Sequence, residues 1–94
     1  MNNEEAIQVL ERELSSFRIE SYTDLVRLIP AGSLDYERSA VGGAKYQVEV
    51  QFFWDDRPGG NIRVMGSIDD GGWRAFIPLS RSFIKSPDGS FVGE

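Results

Sequence analysis

Asp55, Asp56, Asp69 and Asp70 are the residues of this chain best placed, by type and spacing, to do chemistry. Paired carboxylates can hold a divalent cation or exchange protons with a substrate. Each pair, however, falls in a glycine-rich turn, Asp55–Gly60 or Asp69–Gly72. The segment between them alternates as a strand, and about eight residues at ~3.3 Å each separate the turns by roughly 25 Å. The two pairs therefore cannot share one site. DDGGW also lacks the D-x-D-x-D-G spacing of a calcium loop. Aspartate and glycine chosen for tight turns account for both pairs.

The remaining chemistry is narrowed by what the chain does not contain. It has no cysteine, which excludes disulfides, thiolate metal sites and a cysteine nucleophile. It has no histidine, so the usual general base near neutral pH and the commonest metal ligand are missing. Ser80, Ser82, Ser86 and Ser90 lack a partner to activate them, and no G-x-S-x-G or S-x-x-K occurs. The only lysines are Lys45 and Lys85, and neither sits in an obvious apolar pocket that would depress its pKa. Gly42-Gly43, Gly59-Gly60 and Gly71-Gly72 are turn glycines, since no Lys-Ser/Thr follows any of them. No motif implies a cofactor or a metal. Asp35, Glu37 and Glu49, with the turn aspartates, remain the candidates for a carboxylate-based enzyme or small-ligand site. Such a site needs a pocket that desolvates one of them.

The net charge of −5 argues against nucleic acid as a partner, because phosphate contacts need clustered Lys and Arg. At 94 residues the chain reads as one domain over 1–94, with 81–94 forming a C-terminal hairpin or extension. No apolar run approaches the ~20 residues of a membrane helix. MNNEEAIQVLERELSSF is acidic and amphipathic, unlike a secretory or transit signal. A cytoplasmic protein with no membrane partner is the expectation.

The elements that must position any site follow from periodicity. Ile7, Leu10, Leu14 and Phe17, widened by Ala6 and Val9, predict a helix over Glu4–Phe17, capped by Asn2 or Asn3. Ser21–Ile29 reads as a short second helix, ended by Pro30. Leu34–Val41 suits a first strand, Lys45–Trp54 a second and Asn61–Ile68 a third, and Trp73–Leu79 is expected to return as the fourth. Tyr46, Val48, Val50, Phe52 and Trp54 mark the inner face of the second strand, and Ile62, Val64, Gly66 and Ile68 that of the third. In the tail, Phe83, Ile84, Phe91 and Val92 flank Ser-Pro-Asp-Gly, a tight-turn sequence. The class is α+β: an N-terminal amphipathic helix and a short second helix on an antiparallel meander of about four strands.

Fixing the register by the hydrophobic pattern gives the outer face. Trp54 opposes Ile62 and Phe53 opposes Arg63. With the fourth strand at Trp73–Leu79, Met65 opposes Phe76. The outer rows then read Gln51–Met65–Phe76, Phe53–Arg63–Pro78 and Glu49–Ser67–Arg74. Phe53, Met65 and Phe76 form an apolar cluster where water is expected, flanked by Arg63 and Arg74. A monomer seldom leaves such a patch bare. Either the second helix or the tail covers it, or it docks a protein, whether a second copy or a different partner. A small-ligand groove is a further reading. Single-stranded nucleic acid stacked on Phe53 and Phe76 beside Arg63 and Arg74 is another. The favoured expectation is a small non-catalytic protein-binding module (an adaptor, inhibitor or self-associating domain) acting through the outer face of its sheet.

Overall fold

In the computed structural model, which describes residues 1–72 and 78–94, the first helix begins where the sequence offers a cap. The Asn2 side chain accepts a hydrogen bond from the Glu5 N–H at 3.0 Å, and Glu4 and Glu5 occupy the first turn of α1 (Asn3–Arg18). Both features satisfy the unpaired N–H groups and the positive end of the helix. Ser21 caps α2 (Tyr22–Leu28) in the same way, and Ile29–Ala31 adds a 3₁₀ turn that carries Pro30. Gly32, at φ 81°, ends that turn in a conformation that favours glycine and releases the chain into the sheet.

Four strands follow: β1 (Ser33–Ser39), β2 (Lys45–Trp54), β3 (Ile62–Asp69) and β4 (Leu79–Lys85). They pair antiparallel in sequence order, so the fold is the expected α+β meander with its helices on one face. Ala6, Val9, Leu10 and Leu14 of α1 and Leu25 of α2 are buried against Val48, Val50, Phe52, Ile62, Val64, Ile68 and Phe83. Phe17 meets Phe52 edge-on at 5.2 Å between ring centres. The helix sits close because Gly66 has no side chain: a Cβ there would come within 2.7 Å of Leu10 Cδ1. Among the described residues, no helix is long and apolar enough to cross a membrane.

The β2–β3 register is the expected one, with Trp54 opposite Ile62 and Phe53 opposite Arg63. The fourth strand is not. Leu79–Lys85 occupies β3 from end to end, so Met65 faces Ser82, and Ile84 takes the place beside Arg63 assigned to Pro78. Trp73–Ile77, including Arg74 and Phe76, lie outside the described residues. The physical reason for the shift is the set of contacts made by the tail. Phe83 is buried beneath α1, and Phe91 packs edge-on against it at 5.8 Å. The Arg18 guanidinium lies 4.8 Å from the Phe83 ring centre and 5.1 Å from that of Phe91. Arg18 also holds both carboxylate oxygens of Glu94 at 2.9 Å. The buried Lys85 ammonium donates to the carbonyls of Arg18 and Glu20 at 2.9 and 2.6 Å, where the end of α1 leaves acceptors free. Ser86–Gly89 makes the expected turn, the Gly89 N–H donating to the Ser86 carbonyl at 2.9 Å.

Two phenols lock helix to sheet. The buried Tyr46 hydroxyl donates to Glu5 Oε1 at 2.6 Å. That bond, burial, and the charges of Glu5 and Asp70 push Tyr46 up to about 12. Burial and the neighbouring Glu13 carboxylate do the same to Tyr36, also to about 12, against the lowering effect of Arg38. Because the folded values are raised, this stabilisation is fully present below the ordinary tyrosine value of 10 and is lost as pH rises through about 12. An alkaline titration of tyrosinate absorbance is expected to show two late phenols, and Tyr46→Phe is expected to remove one. Two late phenols persisting in Tyr46→Phe would contradict the Tyr46–Glu5 bond.

Candidate functional site

The outer face is built by residues that alternate with the core positions of four strands. Three rows cross it: Ser33–Gln51–Met65–Ser82, Asp35–Glu49–Ser67–Ser80 and Glu37–Gln47–Asp69. A fourth, Phe53–Arg63–Ile84, closes the far end. Both helices pack on the opposite side, with Leu25 of α2 in the core and Phe91 of the tail against Phe83. Neither the second helix nor the tail therefore covers Phe53 and Met65 as the sequence had allowed.

The face has two chemically different halves. At one end Phe53 is 37% exposed, with Met65 and Ile84 half-buried beside it. Arg63 lies between Phe53 and Ile84 and is pinned on both sides. Its Nε donates to Asp55 Oδ1 at 2.8 Å, and its Nη1 donates to Ser82 Oγ at 3.0 Å. The guanidinium is thus held in place and largely neutralised by its own turn. At the other end Asp35, Glu37, Glu49 and Asp69 bring four carboxylates onto adjacent strands. A cleft of about 280 Å³ opens among them, lined by Asp35, Gln47, Val48, Glu49, Ser67, Asp69 and Pro78. Gln47 Nε2 donates to Glu37 Oε2 across the pair at 3.2 Å. Among the described residues, no three acidic side chains converge closely enough to hold a metal ion.

The turn aspartates behave as turn residues. Asp55 and Asp56 lie before β3, and Asp69 and Asp70 lie at or beyond its far end, so the two pairs stay apart. Asp56 Oδ1 accepts the Arg57 N–H at 2.8 Å, Asp69 Oδ1 the Gly71 N–H at 2.7 Å and Asp70 Oδ1 the Gly72 N–H at 3.0 Å. The Gly72 N–H bond, with the nearby chain terminus, lowers the Asp70 carboxyl below its ordinary value. In the tail, Asp88 is held down to about 2 by the hydroxyls of Ser86 and Ser90 and by the Ser90 N–H.

Of the residues singled out in the sequence, Phe53, Met65 and Arg63 share one end of the face, and Asp35, Glu37 and Glu49 gather at the other. Ile84 and Ser82 were missed because the fourth strand was placed too early. The local signal for them was weak, because of the inward positions Arg81, Phe83 and Lys85 only Phe83 is apolar, and a more apolar run precedes it. No protein family, curated protein or solved structure matches this chain.

Proposed function

We propose that this chain is a small non-catalytic module that binds a protein through the outer face of its sheet. The observation that supports this reading is that a four-stranded face carrying Phe53, Met65 and Ile84 is left uncovered by both helices. Aromatic, methionine and arginine side chains are enriched in the cores of interfaces. Arg63 is already ordered by Asp55 and Ser82, so docking against it costs little side-chain entropy. The carboxylates at the other end favour a partner whose surface is basic as well as apolar. An acidic, cysteine-free composition suits a cytoplasmic setting.

Phe53→Ala and Met65→Ala are each expected to cost about 1 kcal/mol or less in stability, as surface substitutions do, while weakening association. Light scattering at several concentrations identifies a second copy if mass rises with concentration and Phe53→Asp abolishes the rise. A constant monomer mass directs the search to a different protein. Loss of several kcal/mol of stability in Phe53→Ala would make the cluster core and end this reading.

The acidic cleft favours a second reading, a carboxylate-based enzyme or small-ligand site. Its volume of about 280 Å³ is near the lower bound of ligand pockets, roughly 300 Å³. A thermal-shift screen with divalent cations and small polar ligands tests it. Stabilisation that is lost in Glu49→Gln supports the reading, and none from any ligand counts against it.

A further inference from the structure

The two edges of the sheet are not equivalent. Beyond β4 the tail returns: Phe91 bridges Lys85, and the Val92 N–H donates to the Ile84 carbonyl at 2.9 Å. β1 is hydrogen-bonded only on its β2 side among the described residues. Which of its backbone groups are free follows from the two ends of the ladder. The Gly32 carbonyl accepts from Phe52 N–H at 2.9 Å, and the Ala40 N–H donates to the Ala44 carbonyl at 2.8 Å. Antiparallel strands alternate residues that bond the partner with residues that point away. Leu34, Tyr36 and Arg38 are therefore in phase with Gly32 and Ala40 and bond β2. Ser33, Asp35, Glu37 and Ser39 direct their N–H and C=O groups out of the sheet. The same residues carry their side chains to the outer face, where Asp35 and Glu37 are exposed.

We propose that this edge receives a β-strand from a partner protein, an extended segment with basic residues at alternate positions and apolar residues between them. Charge complementarity selects that occupant. A strand bonded to the free groups of Asp35 and Glu37 sets its own side chains directly beside both carboxylates. Lysine or arginine there is attracted, and the intervening side chains fall beside Leu34, which is 37% exposed, and the half-buried Tyr36. A second copy of β1 does not fit. Antiparallel pairing about Tyr36 places Asp35 of each copy against Glu37 of the other, and like charges directly opposite repel. Charged residues on an edge commonly guard it against indiscriminate pairing. Here the guard repels an acidic strand and attracts a basic one, which is how an edge becomes selective. The edge and the Phe53–Met65 end are separate surfaces, so either assignment can fail alone.

The test uses the full chain and a capped heptapeptide with lysine at alternate positions and valine or threonine between. In nuclear magnetic resonance titrations the amides of Asp35 and Glu37 are expected to shift and to become protected from exchange on binding. Affinity is expected to fall as salt is raised. Asp35→Lys combined with Glu37→Lys is expected to weaken binding by about tenfold or more, from lost attraction and new repulsion. A control peptide of equal charge, N-methylated at the lysine amides that face Asp35 and Glu37 and so unable to donate to the ladder, is expected to bind about tenfold more weakly or worse. The proposal is overturned if the N-methylated peptide binds equally well, if the Asp35 and Glu37 amides gain no protection, or if the heptapeptide does not bind. It is also overturned if binding is lost in Phe53→Ala and kept in the edge variant, which assigns the peptide to the sheet face.

Discussion

Phe52→Ala is expected to destabilise the domain by about 3–5 kcal/mol, the cost of emptying a large aromatic site in a packed core. For a domain of this size that is a fall in Tm of more than roughly 15 °C. Phe52 is buried on β2, opposite Val64, and meets Phe17 of α1 edge-on. Truncation removes that contact and leaves a cavity between helix and sheet that the backbone cannot close. Its neighbour Phe53, one residue on, points to the other face and is more than a third exposed. The pair therefore tests the assignment of faces in one denaturation experiment. A large loss for Phe52→Ala beside a small one for Phe53→Ala fits this structure; equal losses would mean that something packs over the outer face as tightly as α1 packs over the inner one.

Lys85→Met is expected to cost about 2–3 kcal/mol, from hydrogen bonds made by a charged donor and from the carbonyls left behind. The side chain is buried, and its ammonium is held by the Arg18 and Glu20 carbonyls. A cation is also favoured at the negative end of a helix. Methionine keeps the volume but offers those acceptors nothing. The loss should appear as a lower denaturation midpoint with an unchanged slope, since the surface exposed on unfolding is similar. A neutral result would mean that dehydrating the ammonium cancels its bonds, as happens for some buried charges. The tail contacts that favour β4 in this place would then be those of Phe83, Phe91 and Arg18, added to its ladder with β3.

These two positions also show how far the chain can be read without its structure. Phe52 belongs to an alternation that runs unbroken from Lys45 to Phe52, and alternation alone assigns its face. The same holds for Ile62 to Ile68 and for the helical stripe of Ala6, Val9, Leu10 and Leu14. Lys85 could not be read in this way. A lysine at an inward strand position counts against burial on any propensity scale. It is accommodated only because the end of α1, some sixty-five residues earlier in the chain, presents carbonyls at that spot.

The candidate face divides along the same line. Phe53 opposite Arg63 followed from the turn and the pattern, and the structure keeps that pair. The expected pairing of Met65 with Phe76 did not hold, because Leu79–Lys85 took the free edge of β3 and set Ser82 there. Asp35, Glu37, Glu49 and Asp69 were each visible, yet their gathering on neighbouring strands depends on inter-strand register.

The acidic turns are local, and local chemistry determined them: short side chains bonding N–H groups one or two residues away. Composition determined which nucleophiles and metal ligands this protein cannot use. Periodicity determined the α+β class, the inner face and the β2–β3 register, because those signals repeat within one element. Only the tertiary structure decided which segment became the fourth strand and which edge, among the described residues, stayed open. Those outcomes rest on contacts between residues far apart in the chain, Lys85 with the end of α1 and Phe91 with Phe83, whose energies no single stretch of sequence contains.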